Sequence, residues 1–196
     1  MIWWLRVHMV YVSSACVLAC FVLAPLLAGS ALPIPSLLGG FGSGIPLPLV
    51  LPVVPVCVLL HAMSRVPREN EVVAVRPVRS YGALLFDCIA FTAVILGLAE
   101  AQWLDFSLGL GTARNLVGYL GVGLTVQSLV GSLYGPLAVA AVPVGCVLLG
   151  QGPGRRPYPW AWPLHEGNSL LAASAVLGLF AVGASLRQRQ TAEAGS

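Results

Sequence analysis

"YGALLFDCIAFTAVILGLA", residues 81–99, carries one charge in an otherwise apolar run. At about 1.5 Å of rise per residue it makes a helix of about 28 Å, close to the roughly 30 Å hydrocarbon core of a bilayer. Five other stretches approach that length: 9–28, 45–63, 113–132, 136–150 and 168–186. Composition points the same way. Hydrophobic types make up 58% of the 196 residues and charged types 9%, with a mean hydropathy of +0.89. A soluble domain carries about 25% charged residues, so this chain has too few to cover a water-facing surface. The expected fold class is all-α, an integral membrane bundle of about six transmembrane helices. It forms one domain over 1–196, with a disordered tail at 187–196.

Two of the six stretches need argument. Residues 45–63 contain Pro46, Pro48, Pro52 and Pro55. Each proline lacks a backbone donor and clashes with the carbonyl one turn back. Lipid tolerates freed carbonyls only where neighbouring protein bonds them again, so 45–56 is expected inside a bundle or partly re-entrant. The first run, 9–28, reads as a retained span. Its basic flank is the single Arg6, and its apolar length exceeds the roughly 7–15 residues of a signal-peptide core. "VLAC" (17–20) lies within that run instead of after it, which is the wrong place for a lipobox.

All ten cationic side chains are arginine, and their placement orients the bundle. With six spans and the N-terminus inside, Arg6, Arg65, Arg68, Arg76, Arg79, Arg187 and Arg189 are cytoplasmic, and Arg114, Arg155 and Arg156 are outside. A five-span reading without 45–63 puts the four arginines of 64–80 outside, against the rule. Both termini are therefore expected in the cytoplasm, and the membrane is taken as the plasma membrane. "QGPGRRPYPWAWPLHEG" (151–167) becomes an outer loop. Its prolines stop helix propagation. The rings of Tyr158, Trp160 and Trp162 suit the headgroup layer, and Asn168 can cap the last helix. Arg155, Arg156, Trp160, Trp162 and His165 are its candidate functional residues.

Polar side chains inside the spans mark sites, because charge is costly in lipid. Asp87 lies seven residues past Ser80, roughly 10 Å deep. It can pair with an arginine reaching from the interface, or be protonated in a polar cavity. Gln127 and Ser128 follow Gly118, Gly121 and Gly123, which reads as close helix packing with an amide bonding across the interface. His8, His61 and His165 lie at three depths. Cys16, Cys20, Cys57, Cys88 and Cys146 sit in apolar runs without companion ligands. No metal site, cofactor site or catalytic residue is expected. "FGSG" (41–44) has no mid-helix histidine to activate its serine, and no HExxH, aspartate pair or phosphate loop is present. The scattered basic residues do not form a nucleic-acid-binding face. An enzyme is not expected.

"ARNLVGYLGVGL" (113–124) followed by "WAWPLHEGNSLLAA" (160–173) resembles small six-span membrane proteins of actinobacteria described as permease-like components of ABC transporters. The likeness covers roughly 76–186. It implies export or self-protection powered by a separate ATP-binding subunit, with the chain working as a homodimer or heterodimer in the lipid bilayer. It also implies that "SRVPRENEVVAVRPVRS" (64–80) meets that subunit, with Arg65, Arg68, Glu69 and Glu71 as contacts. Two alternatives stay open: a non-transporting scaffold or sensor that recruits partners through 64–80, and a proton-coupled secondary transporter using Asp87.

Overall fold

A computed structural model describes residues 10–33, 44–64, 78–152 and 156–193, and these are mostly helical. The expected ATPase contacts Arg65, Arg68, Glu69 and Glu71, and Arg155 of the outer loop, lie outside the described residues. In chain order the elements are α1 (Val10–Leu26), β1 (Ala31–Pro33), β2 (Gly44–Pro46), α2 (Leu47–Val50), α3 (Val53–Ser64), α4 (Val78–Trp103), α5 (Leu108–Leu129), α6 (Tyr134–Leu149), a 3-10 turn (Trp162–Leu164) and α7 (Leu170–Glu193). Three stretches are long and apolar enough to cross a membrane: Leu47–Ser64, Gly82–Trp103 and Leu170–Gln190. α1 and α6 are apolar and shorter.

The strand pair departs from the all-α expectation and has a local cause. Leu32 precedes Pro33 and Ile45 precedes Pro46, and a residue before proline is pushed into the extended region. These two residues face each other at the centre of the antiparallel pair. The pairing delivers the Leu47 N–H to the Ser30 carbonyl (3.0 Å) at the start of α2.

The proline-rich run divides at Leu51–Pro52 into α2 and α3. Pro52 has no N–H for the Pro48 carbonyl, and the Thr112 hydroxyl of α5 approaches that carbonyl at 3.3 Å, sharing its one proton with the Leu108 carbonyl at 3.0 Å. The break also leaves the Leu49 carbonyl to α5, where the Asn115 amide and the Tyr119 hydroxyl donate to it (3.0 and 3.4 Å). Within 45–56, Ile45, Pro48, Leu49, Pro52, Pro55 and Val56 are buried against neighbouring elements while Val54 faces outward.

α5 is the axis. It touches every other helix, and each residue from Gly111 to Gly121 is buried. Glycine makes a poor helix interior, costing about 1 kcal/mol against alanine, but here it admits neighbours on all sides. A Cβ on Gly118 would overlap the Trp162 ring, and one on Gly121 would lie 2.6 Å from the Phe180 backbone nitrogen of α7. Around this axis the core gathers Val17, Phe21, Leu59, Leu60, Phe86, Ile89, Leu116, Leu120, Leu124, Val139 and Val176. The outer faces of α4 and α7 carry exposed Leu84, Phe91, Ile95, Leu171 and Leu177.

Two boundaries differ from expectation. α4 runs on through Trp103, so the outer loop expected at 100–112 shrinks to 104–107. There Asp105 adopts φ 52°, a left-handed conformation that a short polar side chain tolerates. α7 continues to Glu193, so 187–193 is helical where a disordered tail was expected. At that end the Arg187 guanidinium lies 4.7 Å over the Phe86 ring, and the Gln190 side chain donates to the Ser128 carbonyl, tying α7 to α4 and α5.

Gly121→Ala should lower the thermal unfolding midpoint of the purified protein, at a cost of about 1–3 kcal/mol, because two backbones must separate. Gly178→Ala on α7, where nothing lies within 4 Å of the new methyl, should match or slightly exceed wild type. Equal melting of the two variants would contradict this packing.

Candidate functional site

Arg114 and Asn115, consecutive residues one turn and a half into α5, hold together the end of the molecule where the α2 break and the loop 156–169 meet α5. An arginine there cannot reach water, being 7% exposed. Its guanidinium instead bonds chain carbonyls: Nη1 donates to the Glu166 carbonyl (2.7 Å) and Nη2 to the His165 carbonyl (2.8 Å). Nε and Nη2 also donate to Asn115 Oδ1 (3.4 and 3.3 Å). Asn115 is fully buried, and its Nδ2 donates to the Leu49 and Pro163 carbonyls (3.0 and 3.1 Å). Tyr119, one turn on, donates to Leu49 and stacks on Trp162 with ring centroids 5.2 Å apart and planes tilted by 55°. Three segments that are distant in sequence therefore meet on one turn of α5: the α2 break, the outer loop and the axis itself.

The geometry of arginine explains its use here. The planar fork presents five donors in fixed directions, and carbonyls of an irregular loop need donors. The prolines of 151–167 prevent that loop from satisfying its own carbonyls as a helix would. Burial of a cation is costly unless it is well bonded, and four hydrogen bonds offset that cost here.

The outer loop is otherwise held locally. Gly152 N–H donates to the Arg156 carbonyl (3.0 Å), Tyr158 N–H to Gly150 (2.9 Å), and Ala161 N–H to Tyr158 (2.9 Å). The His165 ring Nε2 lies 3.1 Å from the Tyr158 carbonyl. Trp160 and Arg156 are exposed. Trp162 is not: it is 6% exposed and fills the space over Gly118, so it is a core residue and not a headgroup anchor. Asn168 does not cap α7. Ser169 does, its hydroxyl accepting from Ala172 N–H (3.4 Å).

The intramembrane candidates separate. Gln127 is buried, and its amide donates across the interface to the Leu60 carbonyl of α3 and onward to Ser132 in the α5–α6 turn (both 3.2 Å). Asp87 lies on the exposed outer face of α4 beside Cys88, with no ion pair or hydrogen bond among the described residues. The buried acid of α4 is Glu100, 6% exposed, whose Oε2 sits against Gly109 without a hydrogen-bond partner. Its backbone carbonyl accepts from Leu104 and Phe106 (3.1 Å each) and closes the turn into α5. Among the described residues, no three His, Cys, Asp or Glu side chains form a group that could hold a metal ion.

The sequence reading missed Arg114, Asn115, Tyr119 and Glu100 because it counted Arg114 among the outer cations and ended the third span at residue 99, just before Glu100. The available signal was the adjacency of "RN" to an unbroken glycine-rich apolar run. No protein-family profile, no curated protein and no solved structure matches the chain.

Asn115→Ala should destabilise the protein by about 1–3 kcal/mol, because it leaves the Pro163 carbonyl bare and the Leu49 carbonyl to Tyr119 alone, and should open the loop 156–169 to protease. Arg114→Lys should not restore wild-type melting, since one ammonium cannot reach the His165 and Glu166 carbonyls and Asn115 Oδ1 together. Wild-type melting and protease resistance in Asn115→Ala would refute the node.

Proposed function

We propose that this chain is the membrane subunit of an ABC-type transporter, acting in export or self-protection and driven by a separate ATP-binding subunit. In this reading the apolar helices form a six-span bundle in the plasma membrane with both termini cytoplasmic. The chain is not itself an enzyme and needs no cofactor. Two copies, or this chain with a related one, form the complex.

The supporting observation is the sharing of the Leu49 carbonyl by Asn115 and Tyr119. The segment 64–80 joins α3 to α4. Through α3 and α2 it connects to Leu49 and hence to the Arg114–Asn115 node. Through α4 it connects to Gly97, where an added Cβ would lie 2.6 Å from Ala113 Cβ and 2.7 Å from the Gly109 carbonyl of α5. A push by an ATPase on 64–80 would reach the outer loop by two routes that converge on α5. Closure of the ATP-binding subunits would then rock the bundle and open a path at 151–167.

A specific observation favours the scaffold alternative as second reading: α5 itself occupies the centre of the bundle and is buried from Gly111 to Gly121. A proton-carrying Asp87 draws no support from its outward position.

Purification of the tagged protein in mild detergent, with co-purifying chains identified by mass spectrometry, tests the proposal. A stoichiometric ATP-binding subunit, lost in an Arg65→Ala/Arg68→Ala variant, with ATPase activity stimulated several-fold by the chain, is expected. Asp87→Asn should leave both unchanged. Recovery of the protein alone, without ATPase activity, overturns the transporter reading and favours the scaffold.

A further inference from the structure

α4 and α7 both pack along α5 but barely meet each other. Between them lies a groove of about 450 Å³. Its walls are apolar: Val94 from α4, Ala113 and Val117 from α5, Val176 and Leu177 from α7. Its outer end is different. There Arg114 lines it, beside Gly167–Ser169 and the first turn of α7. From Leu170 to Leu177 the lining advances along α7 by about 10 Å, so the groove runs from the outer end of the bundle toward its middle.

Charge decides what belongs in it. Arg114 makes hydrogen bonds to carbonyls and an amide, all neutral groups, and forms no ion pair among the described residues. Its Nη1 uses one of two N–H donors, so one donor has no acceptor among the described residues. Glu100 of α4 turns against Gly109 and does not line the groove. The amides at the start of α7 add partial positive charge at the same end. The feature is an apolar trough closed by a buried, un-neutralised cation, and its flanks, Val94, Leu170 and Leu177, are exposed apolar side chains on the outward face.

We propose that this groove binds one anionic phospholipid from the outer leaflet, with an acyl chain along Ala113, Val117 and Val176 and a headgroup phosphate oxygen accepting from Arg114 Nη1. A water-soluble anion would leave the apolar trough unfilled, and a zwitterionic lipid would bring its own cation to the guanidinium. The inference depends on the membrane setting and not on an ATP-binding partner.

The test uses the full chain, delipidated in detergent and then exposed to vesicles of dioleoylphosphatidylglycerol or dioleoylphosphatidylcholine. Native mass spectrometry counts retained lipid, and thermal unfolding reports stabilisation. One phosphatidylglycerol per chain, retained roughly tenfold better than phosphatidylcholine, is expected from one charge-assisted contact. Ala173→Phe, which fills the trough without touching the hydrogen bonds of Arg114, should lose that lipid while the delipidated protein melts as wild type. Arg114→Gln should lose the preference for phosphatidylglycerol in whatever lipid it retains. Equal retention of the two lipids, undiminished lipid in Ala173→Phe, or full stabilisation by inorganic phosphate alone would overturn the proposal.

Discussion

A carbonyl freed by proline must find a donor, and in a hydrocarbon setting water cannot supply it. The segment 45–56 and the loop 151–167 both carry this burden, because both are proline-rich and both are partly buried. α5 discharges it for each. Thr112 serves Pro48, Asn115 serves Leu49 and Pro163, and Arg114 serves His165 and Glu166. Two irregular segments that could not exist alone in a bilayer become ordered because one helix turn presents the right donors. The remainder of the bundle is arranged around keeping that turn enclosed.

This arrangement inverts the familiar hydropathy order. α5 is the most enclosed helix, yet it is not among the stretches apolar enough to qualify as a span on composition. α7 does qualify, and only 17% of its apolar window is buried. A helix that faces lipid must be apolar. One that faces protein on every side can afford arginine, asparagine and glycine, provided each polar group is bonded and each glycine accepts a neighbour's backbone or ring. The resulting stability rests on close packing and directed hydrogen bonds, since lipid offers little of the hydrophobic drive that gathers a soluble core.

The helical, lipid-length character of the chain is legible in the sequence because it is a property of runs. The prolines of 45–56 also announced that neighbouring groups would have to bond their carbonyls. Gln127 was legible for a similar reason, as an amide among glycines. What stayed hidden are choices that depend on three-dimensional neighbours. The rings of Trp160 and Trp162 look alike in sequence, yet one is exposed and the other lies on Gly118, a glycine more than forty residues away. Arg114 counts as an outer cation under the positive-inside rule, and nothing local distinguishes a loop arginine from one turned inward. Asp87 and Glu100 were separated by packing alone. Composition favoured the deeper Asp87, while the close approach of Gly97 to Gly109 brought Glu100 under cover.

The order of the donors along the chain has a consequence for biogenesis. During synthesis α1, α2 and α3 emerge first, while Thr112, Asn115 and Tyr119, on which the Pro48 and Leu49 carbonyls depend, are still more than forty residues from leaving the ribosome. Until α5 is made, the Pro48 and Leu49 carbonyls at the α2–α3 break lack the side-chain donors that serve them in the folded chain. The first half of the chain is thus completed by the second: the backbone at the α2–α3 break has its side-chain donors only once α5 has docked against it.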